Sequence, residues 1–233
     1  MGKVIIQEMT TKNPIQLMGL EAGICWNSNT SDSQANYKRG LDCLQSEHGR
    51  VSEFPQIFIV LSGYSARVIR EYYTHIGGDP TRLQASTRYI DYSDFKYVIP
   101  HTVARNAVAC KIYTDMMKNI ATSIKSLEVL GIPKEDCGLG LPLGMETEVV
   151  VRTNLRQLLD MIHTRSCTRA YWEFRELIND IIKALKDYSP EWKELGDKYF
   201  ISKCEYFGYC TERNSCGRRP KKSEVINSDS SSS

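Results

Sequence analysis

The chain carries no excess of one charge: 30 Lys and Arg stand against 28 Asp and Glu, a formal +2 over 233 residues. That absence excludes the broad positive field of a dedicated nucleic-acid binder, so any anion site has to be local. No apolar run is long enough to cross a bilayer. The first residues, Met1-Gly2-Lys3-Val4-Ile5-Ile6, hold neither the apolar stretch nor the small-residue cleavage site of a secretory signal. Ile6 also stands where a myristoylation signal needs Ser or Thr. The expectation is a cytoplasmic protein with no membrane or nucleic-acid partner, whose eight cysteines are reduced thiols and not a disulfide framework.

What is present suffices for a core. With 41% hydrophobic residues, the chain reads as one globular domain followed by a tail. Val4 to Met9 predicts a strand. Pro14 to Cys25 predicts a helix, with Asn13 as N-cap and Pro14 at the first helical position. A polar loop at 27–34 precedes a helix over 35–48 that ends at Gly49. The run Gln56-Ile57-Phe58-Ile59-Val60-Leu61-Ser62 predicts a strand buried on both faces. A helix from Ser65 to His75, a strand over 93–99 and a helix from Val103 to Val129 follow, the last closed by Gly131 and Pro133. Glu146 to Thr153 predicts a strand, and helices are expected from Asn154 to Cys167, from Thr168 to Tyr188 and after Pro190. The Ser-rich end, 223–233, is too polar to stay ordered.

The most informative stretch is the glycine-rich loop over residues 74–89, which starts Thr74-His75-Ile76-Gly77-Gly78 and ends Ser86-Thr87-Arg88-Tyr89. Flexible backbone, an imidazole, two guanidiniums, a serine and a phenol suit the binding of a phosphate and a flat heterocycle. Tyr72, Tyr73 and Tyr89 could alternatively stack nucleic-acid bases, a less favoured reading given the balanced charge. Ser86 alone is more often a turn residue, and a lone histidine such as His75 at a helix end is more often a dipole-stabilised group. A second polar set, Asn154, Arg156, Asp160, Arg165 and Arg169, lies on the helix after the last strand. Arg156 and Arg165 are nine residues apart, so they point to opposite faces of a regular helix. Taken alone, these residues read equally well as a solvated surface or as arginines serving different sites of an oligomer.

The stretch Thr153-Asn154-Leu155-Arg156, Leu158-Leu159, Arg165 and Ala170-Tyr171-Trp172-Glu173-Phe174-Arg175-Glu176 resembles a conserved block of the flavin-dependent thymidylate synthases, the ThyX family. Gln84-Ala85-Ser86-Thr87-Arg88-Tyr89 is similar to the end of that family's signature, and Leu141-Pro142 and Thr147 fall where the family has its Leu-Pro and following Thr. Two motifs in the right order are a far more specific signal than either alone. The resemblance implies an α+β fold, a mostly antiparallel sheet flanked by long helices in a single domain, assembled as a homotetramer with shared active sites. It implies reductive methylation of dUMP to dTMP, with methylenetetrahydrofolate as carbon donor, NADPH as reductant and FAD as hydride carrier. A pyrimidine nucleotide hydroxymethylase on the same fold is the nearest alternative. Residues 1–202 would be the catalytic domain, 203–222 a Cys-rich basic extension and 223–233 the disordered tail.

Carried over by position, the resemblance assigns dUMP to Glu71, Gln84, Ser86, Thr87, Arg88 and Arg165, with Ser86 and Arg165 catalytic. It assigns FAD to His75, Tyr89, Asn154, Arg156 and Asp160. The family signature begins Arg-His-Arg, whereas this chain has Thr74-His75-Ile76 and two extra residues before Ser86. Arg82, inside the lengthened loop, is expected to return a cation to the FAD phosphates. Gln84 stands in place of the usual acid, Glu71 of Gln, Asp160 of Asn, Arg169 of His and Gly138 of an arginine found in some members. These changes describe a divergent branch. The cysteines Cys204, Cys210 and Cys216 are spaced too widely for the usual zinc ligand pairs, with Cys137 and Cys167 as remote fourth candidates, so no metal is expected.

Overall fold

The structure is a computed structural model that describes residues 2–75, 77 and 81–230. Ile76, Gly78-Asp79-Pro80 of the glycine loop and residues 231–233 of the expected disordered tail lie outside the described residues. The elements run β1 (Lys3–Ile6), α1 (Pro14–Cys25), α2 (Ser33–Gln45), β2 (Gln56–Ser65), α3 (Ala66–Tyr72), β3 (Thr81–Gln84), α4 (His101–Ala104), α5 (Ala107–Val129), α6 (Lys134–Cys137), β4 (Glu146–Asn154), α7 (Leu155–Arg165), α8 (Trp172–Tyr188), α9 (Pro190–Lys198), α10 (Lys203–Phe207) and α11 (Lys222–Ser230). The strands form one antiparallel sheet in the order β1-β2-β4-β3, so the architecture is α+β. Among the described residues no helix is long and apolar enough to cross a membrane.

Several expectations are corrected. Residues 93–99 form no strand. Tyr97 makes a single antiparallel bridge to Met145, too little pairing to propagate a ladder. The short strand β3 lies inside the loop and is not apparent from periodicity, since it is edge-placed and largely exposed. The helix expected over 103–129 is two helices, because Asn106 leaves helical geometry and its side chain accepts the Ala109 N–H at 3.0 Å, starting α5 afresh. β2 is fully buried on only one face, through Ile57, Ile59 and Leu61. α2 begins earlier than expected, at Ser33, because Asp32 accepts the N–H groups of Gln34 and Ala35. A helix, α11, occupies 222–230, where the composition suggested disorder.

The chain divides into two compact units, and β2 and β4 run from one to the other. The first comprises Met1–Lys3, Val60–Thr74 and Arg82–Val151. Its core gathers Tyr92, Phe95, Met117, Ile124, Cys137 and Met145. Its longest helix, α5, buries only Met117 and Ile124, leaving Val108, Ile112 and Met116 exposed on the other side. The second comprises Val4–Ile59, His75–Thr81 and Arg152–Ser233. Within it α1 and α2 cross so closely that a Cβ on Gly19 would lie 1.7 Å from the Asn36 carbonyl oxygen, and one on Gly40 would lie 2.0 Å from that of Ile15. Glycine is what lets these two backbones touch. α7 and α8 supply the fully buried Leu155, Leu158, Met161, Ile162, Phe174 and Leu177.

Candidate functional site around helix α7 and the loop after α3

In the second unit, β4 hands over to α7 at Asn154. Its buried side chain accepts the Gln157 N–H at 2.9 Å and so caps the helix. Gln157 extends the network: its side-chain oxygen accepts from Thr153 Oγ1 at 2.7 Å, and its amide nitrogen donates to the His75 carbonyl at 2.6 Å. The imidazole of His75 then meets Arg165, whose Nε donates to His75 Nε2 at 3.0 Å. A guanidinium only donates, so Nε2 is the acceptor nitrogen and the ring proton sits on Nδ1. Both groups rest on Phe174, the Arg165 Cζ lying 4.7 Å from the ring centroid and the imidazole 5.7 Å away, edge to face. Arg165 is therefore held at two points, by half-buried His75 and buried Phe174, a pre-oriented cation.

Arg156, nine residues earlier on α7, meets a different partner. It donates to Glu53 Oε1 at 2.6 Å and, with Asp160 one turn on, lines a cavity of about 200 Å³. His163 and Tyr206 form part of the wall, their rings 4.9 Å apart. The Tyr206 hydroxyl donates to Glu47 Oε1 at 2.5 Å. Burial holds the His163 pKa below the ordinary imidazole value, against a raising hydrogen bond with the Tyr199 backbone. Arg169, also singled out by the sequence, points elsewhere and donates to the Asn214 carbonyl at 3.2 Å.

The first unit holds the other expected residues. Arg82 donates to the Tyr72 carbonyl at 3.3 Å and lies 4.7 Å over the Tyr73 ring, so its guanidinium is braced against α3. Glu71 faces Arg67 at 3.6 Å on the same helix. Gln84 donates to Thr147 Oγ1 at 3.3 Å. Ser86 Oγ accepts the Arg88 N–H at 3.2 Å, the turn-forming role that a serine takes in any such loop. Arg88 pairs with Glu135 at 2.8 Å, but both side chains are more than half exposed, so the pair is worth about 1 kcal/mol at most and an incoming anion can replace it. Tyr89 is exposed beneath Arg88, 5.7 Å from its guanidinium. Thr87 packs against Gly138, where a Cβ would come within 3.2 Å of the threonine Cβ. A side chain at 138 would crowd Thr87.

Gln157, which ties His75 to α7, was not among the sequence candidates. Only its place one turn after Asn154 could have signalled it. Arg156 and Asp160 share one cavity; Arg165 and His75 share another environment.

The family described as thymidylate synthase complementing protein matches residues 5–191. The flavin-dependent thymidylate synthase of Nitratidesulfovibrio vulgaris is 29% identical over 188 residues, 76% of this chain and 74% of the relative. That of Geobacter sulfurreducens is 26% identical over 189 residues, 77% of this chain and 81% of the relative. Among solved structures, thymidylate synthase X from Helicobacter pylori with FAD and dUMP superposes with a TM-score of 0.67 at 17% identity. The match covers 85% of this chain and 99% of that one, a likeness of fold.

Proposed function

The chain belongs to the flavin-dependent thymidylate synthase (ThyX) family, and on that premise we propose that it converts dUMP to dTMP by reductive methylation, with methylenetetrahydrofolate, NADPH and FAD. The observation that carries this reading is the clamp on Arg165: a guanidinium fixed by His75 and Phe174 suits a phosphate dianion whose position must not drift. Arg88, exposed and only loosely paired, is the second proposed phosphate ligand, with Ser86, Thr87, Gln84 and Glu71 holding the rest of the nucleotide.

The residues present fit a flavin. Arg156 offers a cation and Asp160 a carboxylate at a cavity walled by the rings of His163 and Tyr206, a donor and acceptor set matched to a flat heterocycle with polar edges. When bound, FAD would supply hydride transfer, which no side chain can perform. Arg156 would stabilise negative charge on the ring system, and Asp160 would accept from a ring N–H. Asn154 keeps its side-chain oxygen on the α7 cap, so its proposed part is to hold the backbone from which Arg156 projects. His75 would act through Arg165, and Tyr89 would cover the ring. The same reading assigns a cytoplasmic homotetramer in which each site draws on several chains. The exposed Val108, Ile112 and Met116 of α5 are a surface for another copy to cover.

The test is direct. Purified protein should be yellow, sediment at four times the chain mass and convert dUMP to a product heavier by one methyl group when given the folate and NADPH. A product heavier by a hydroxymethyl group would identify the hydroxymethylase instead. A colourless protein that takes up no FAD would overturn the flavoenzyme reading altogether. Arg82, braced on Tyr73, is proposed to contact the FAD phosphates. Arg82→Ala should weaken FAD retention roughly tenfold or more, the effect of losing one charged hydrogen-bonding partner. Unchanged retention on gel filtration would defeat that role.

A further inference from the structure

One histidine and four cysteines line one small cavity in the second unit, together with Glu212. His163 and Cys167 come from the C-terminal end of α7 and the residues just after it. Cys204, Cys210 and Cys216 come from the segment beyond residue 191, which the family match does not include. The cavity is about 110 Å³, large enough for an ion and its ligand shell and too small for an organic cofactor. The backbone around it is tied down. The Cys210 N–H donates to the Pro220 carbonyl at 2.7 Å, the Cys210 and Lys221 backbones form a bridge, and Arg169 donates to the Asn214 carbonyl.

A second observation points to a ligand. His163 Nε2 is buried with no hydrogen-bond partner among the described residues, and so is Ser166 Oγ beside it. A neutral imidazole whose ring nitrogen has no protein partner in a packed region is open to coordinate a metal. An orphaned polar atom in an interior costs free energy unless something satisfies it.

We propose that this cavity is a structural zinc site, with Cys204, Cys210 and Cys216 as three thiolate ligands and a fourth from the end of α7, either His163 Nε2 or Cys167. Soft thiolates with imidazole in a tetrahedral shell select zinc over magnesium or calcium. No three such donors among the described residues stand at coordinating distance from one point. Binding therefore has to turn thiols inward, and one rotamer step of a cysteine carries its sulfur about 3 Å. Each coordinating thiol gives up its proton to solvent as the metal binds. The spacing of five residues between cysteines, wide for a zinc finger, is bridged here by the fold. The site would fasten α10 to α7 and so hold Tyr206 in the wall of the cavity lined by Arg156.

The inference does not depend on the flavin reading, and its test does not use activity. Full-length protein, purified without a metal-affinity tag, is expected to hold about one zinc per chain by elemental analysis. Cys204→Ser and Cys210→Ser should each lose it, whereas Cys25→Ser, altering an exposed cysteine that does not line the cavity, should retain it. Of His163→Gln and Cys167→Ser, one should lose the metal, which names the fourth ligand. If the serine variants do not fold, a mercurial thiol reagent added to the unaltered protein should release its zinc stoichiometrically into a colorimetric dye. Less than about a tenth of an equivalent of zinc in the unaltered protein, or full retention in both cysteine variants of the extension, would overturn the site.

Discussion

Arg165→Ala is expected to weaken dUMP binding by about 3 kcal/mol, roughly a hundredfold, because a phosphate dianion loses a charged partner that was oriented before it arrived. The orientation is the source of the size. Arg165 is fixed by His75 Nε2 at 3.0 Å and by Phe174 beneath it, so little side-chain entropy remains to be lost on binding. Arg165→Lys should recover only part of the affinity, since an ammonium keeps the charge but loses the planar fork. Titration calorimetry with dUMP reads both. The fold should tolerate the change at a cost near 1 kcal/mol, mostly the lost contact with Phe174. Undiminished affinity in the alanine variant would place the nucleotide elsewhere. His75→Asn is the informative companion: if His75 acts through Arg165, affinity should fall less than in Arg165→Ala, and combining the two should add little beyond the arginine change alone.

Glu191→Ala carries the largest expected loss of stability, about 3–4 kcal/mol, read from the denaturant midpoint. Glu191 is buried in α9, 6% exposed, and its two oxygens serve the start of α1. Oε2 accepts the Ile15 N–H at 2.7 Å and the Gln16 N–H at 3.1 Å, while Oε1 accepts the Gln16 side-chain amide at 2.7 Å. Those backbone groups belong to the first turn of α1, where no carbonyl within the helix can reach them. A carboxylate there also meets the positive end of the helix dipole. Removing it leaves two donors in a packed region without a partner, a large fraction of the ~5–15 kcal/mol that holds a domain of this kind folded. Glu191→Gln retains an acceptor without the charge and should lose about half as much. A loss under about 1 kcal/mol would mean that water replaces the carboxylate.

That cap shows how far the sequence can be read. Asn13 before Pro14 is a good N-cap pattern, and the helix does run Pro14–Cys25, yet the Asn13 side chain makes no capping bond. The carboxylate that caps it lies 176 residues beyond Ile15. The pattern located the helix correctly for a reason that is only partly local: Pro14 fixes its first turn, and tertiary structure satisfies its donors.

The Arg156 and Arg165 pair is the converse. A period of 3.6 residues is enough to set them on opposite faces, and in the structure Arg156 meets Glu53 whereas Arg165 meets His75. What each face meets was not legible, because Glu53, His75 and Phe174 reach α7 from distant parts of the chain. The same distinction explains the residues 93–99 and β3. The sequence suggested a strand at the first and none at the second, but a strand exists only where a neighbour offers its hydrogen bonds. Thr81–Gln84 has β4 beside it, and Tyr97 has one bridge.

By itself, then, the sequence determined the helices α1, α7 and α8, the strands β2 and β4, and the family, because caps, periodicity and short motifs are written in residues close together in the chain. Tertiary structure alone decided that Gln157 ties His75 to α7, that Glu191 caps α1, and that cysteines up to 49 positions apart surround one cavity with a buried, unpartnered imidazole nitrogen in its neighbourhood. Each of these is a meeting of groups whose separation along the chain carries no local signal, and only packing brings them within reach.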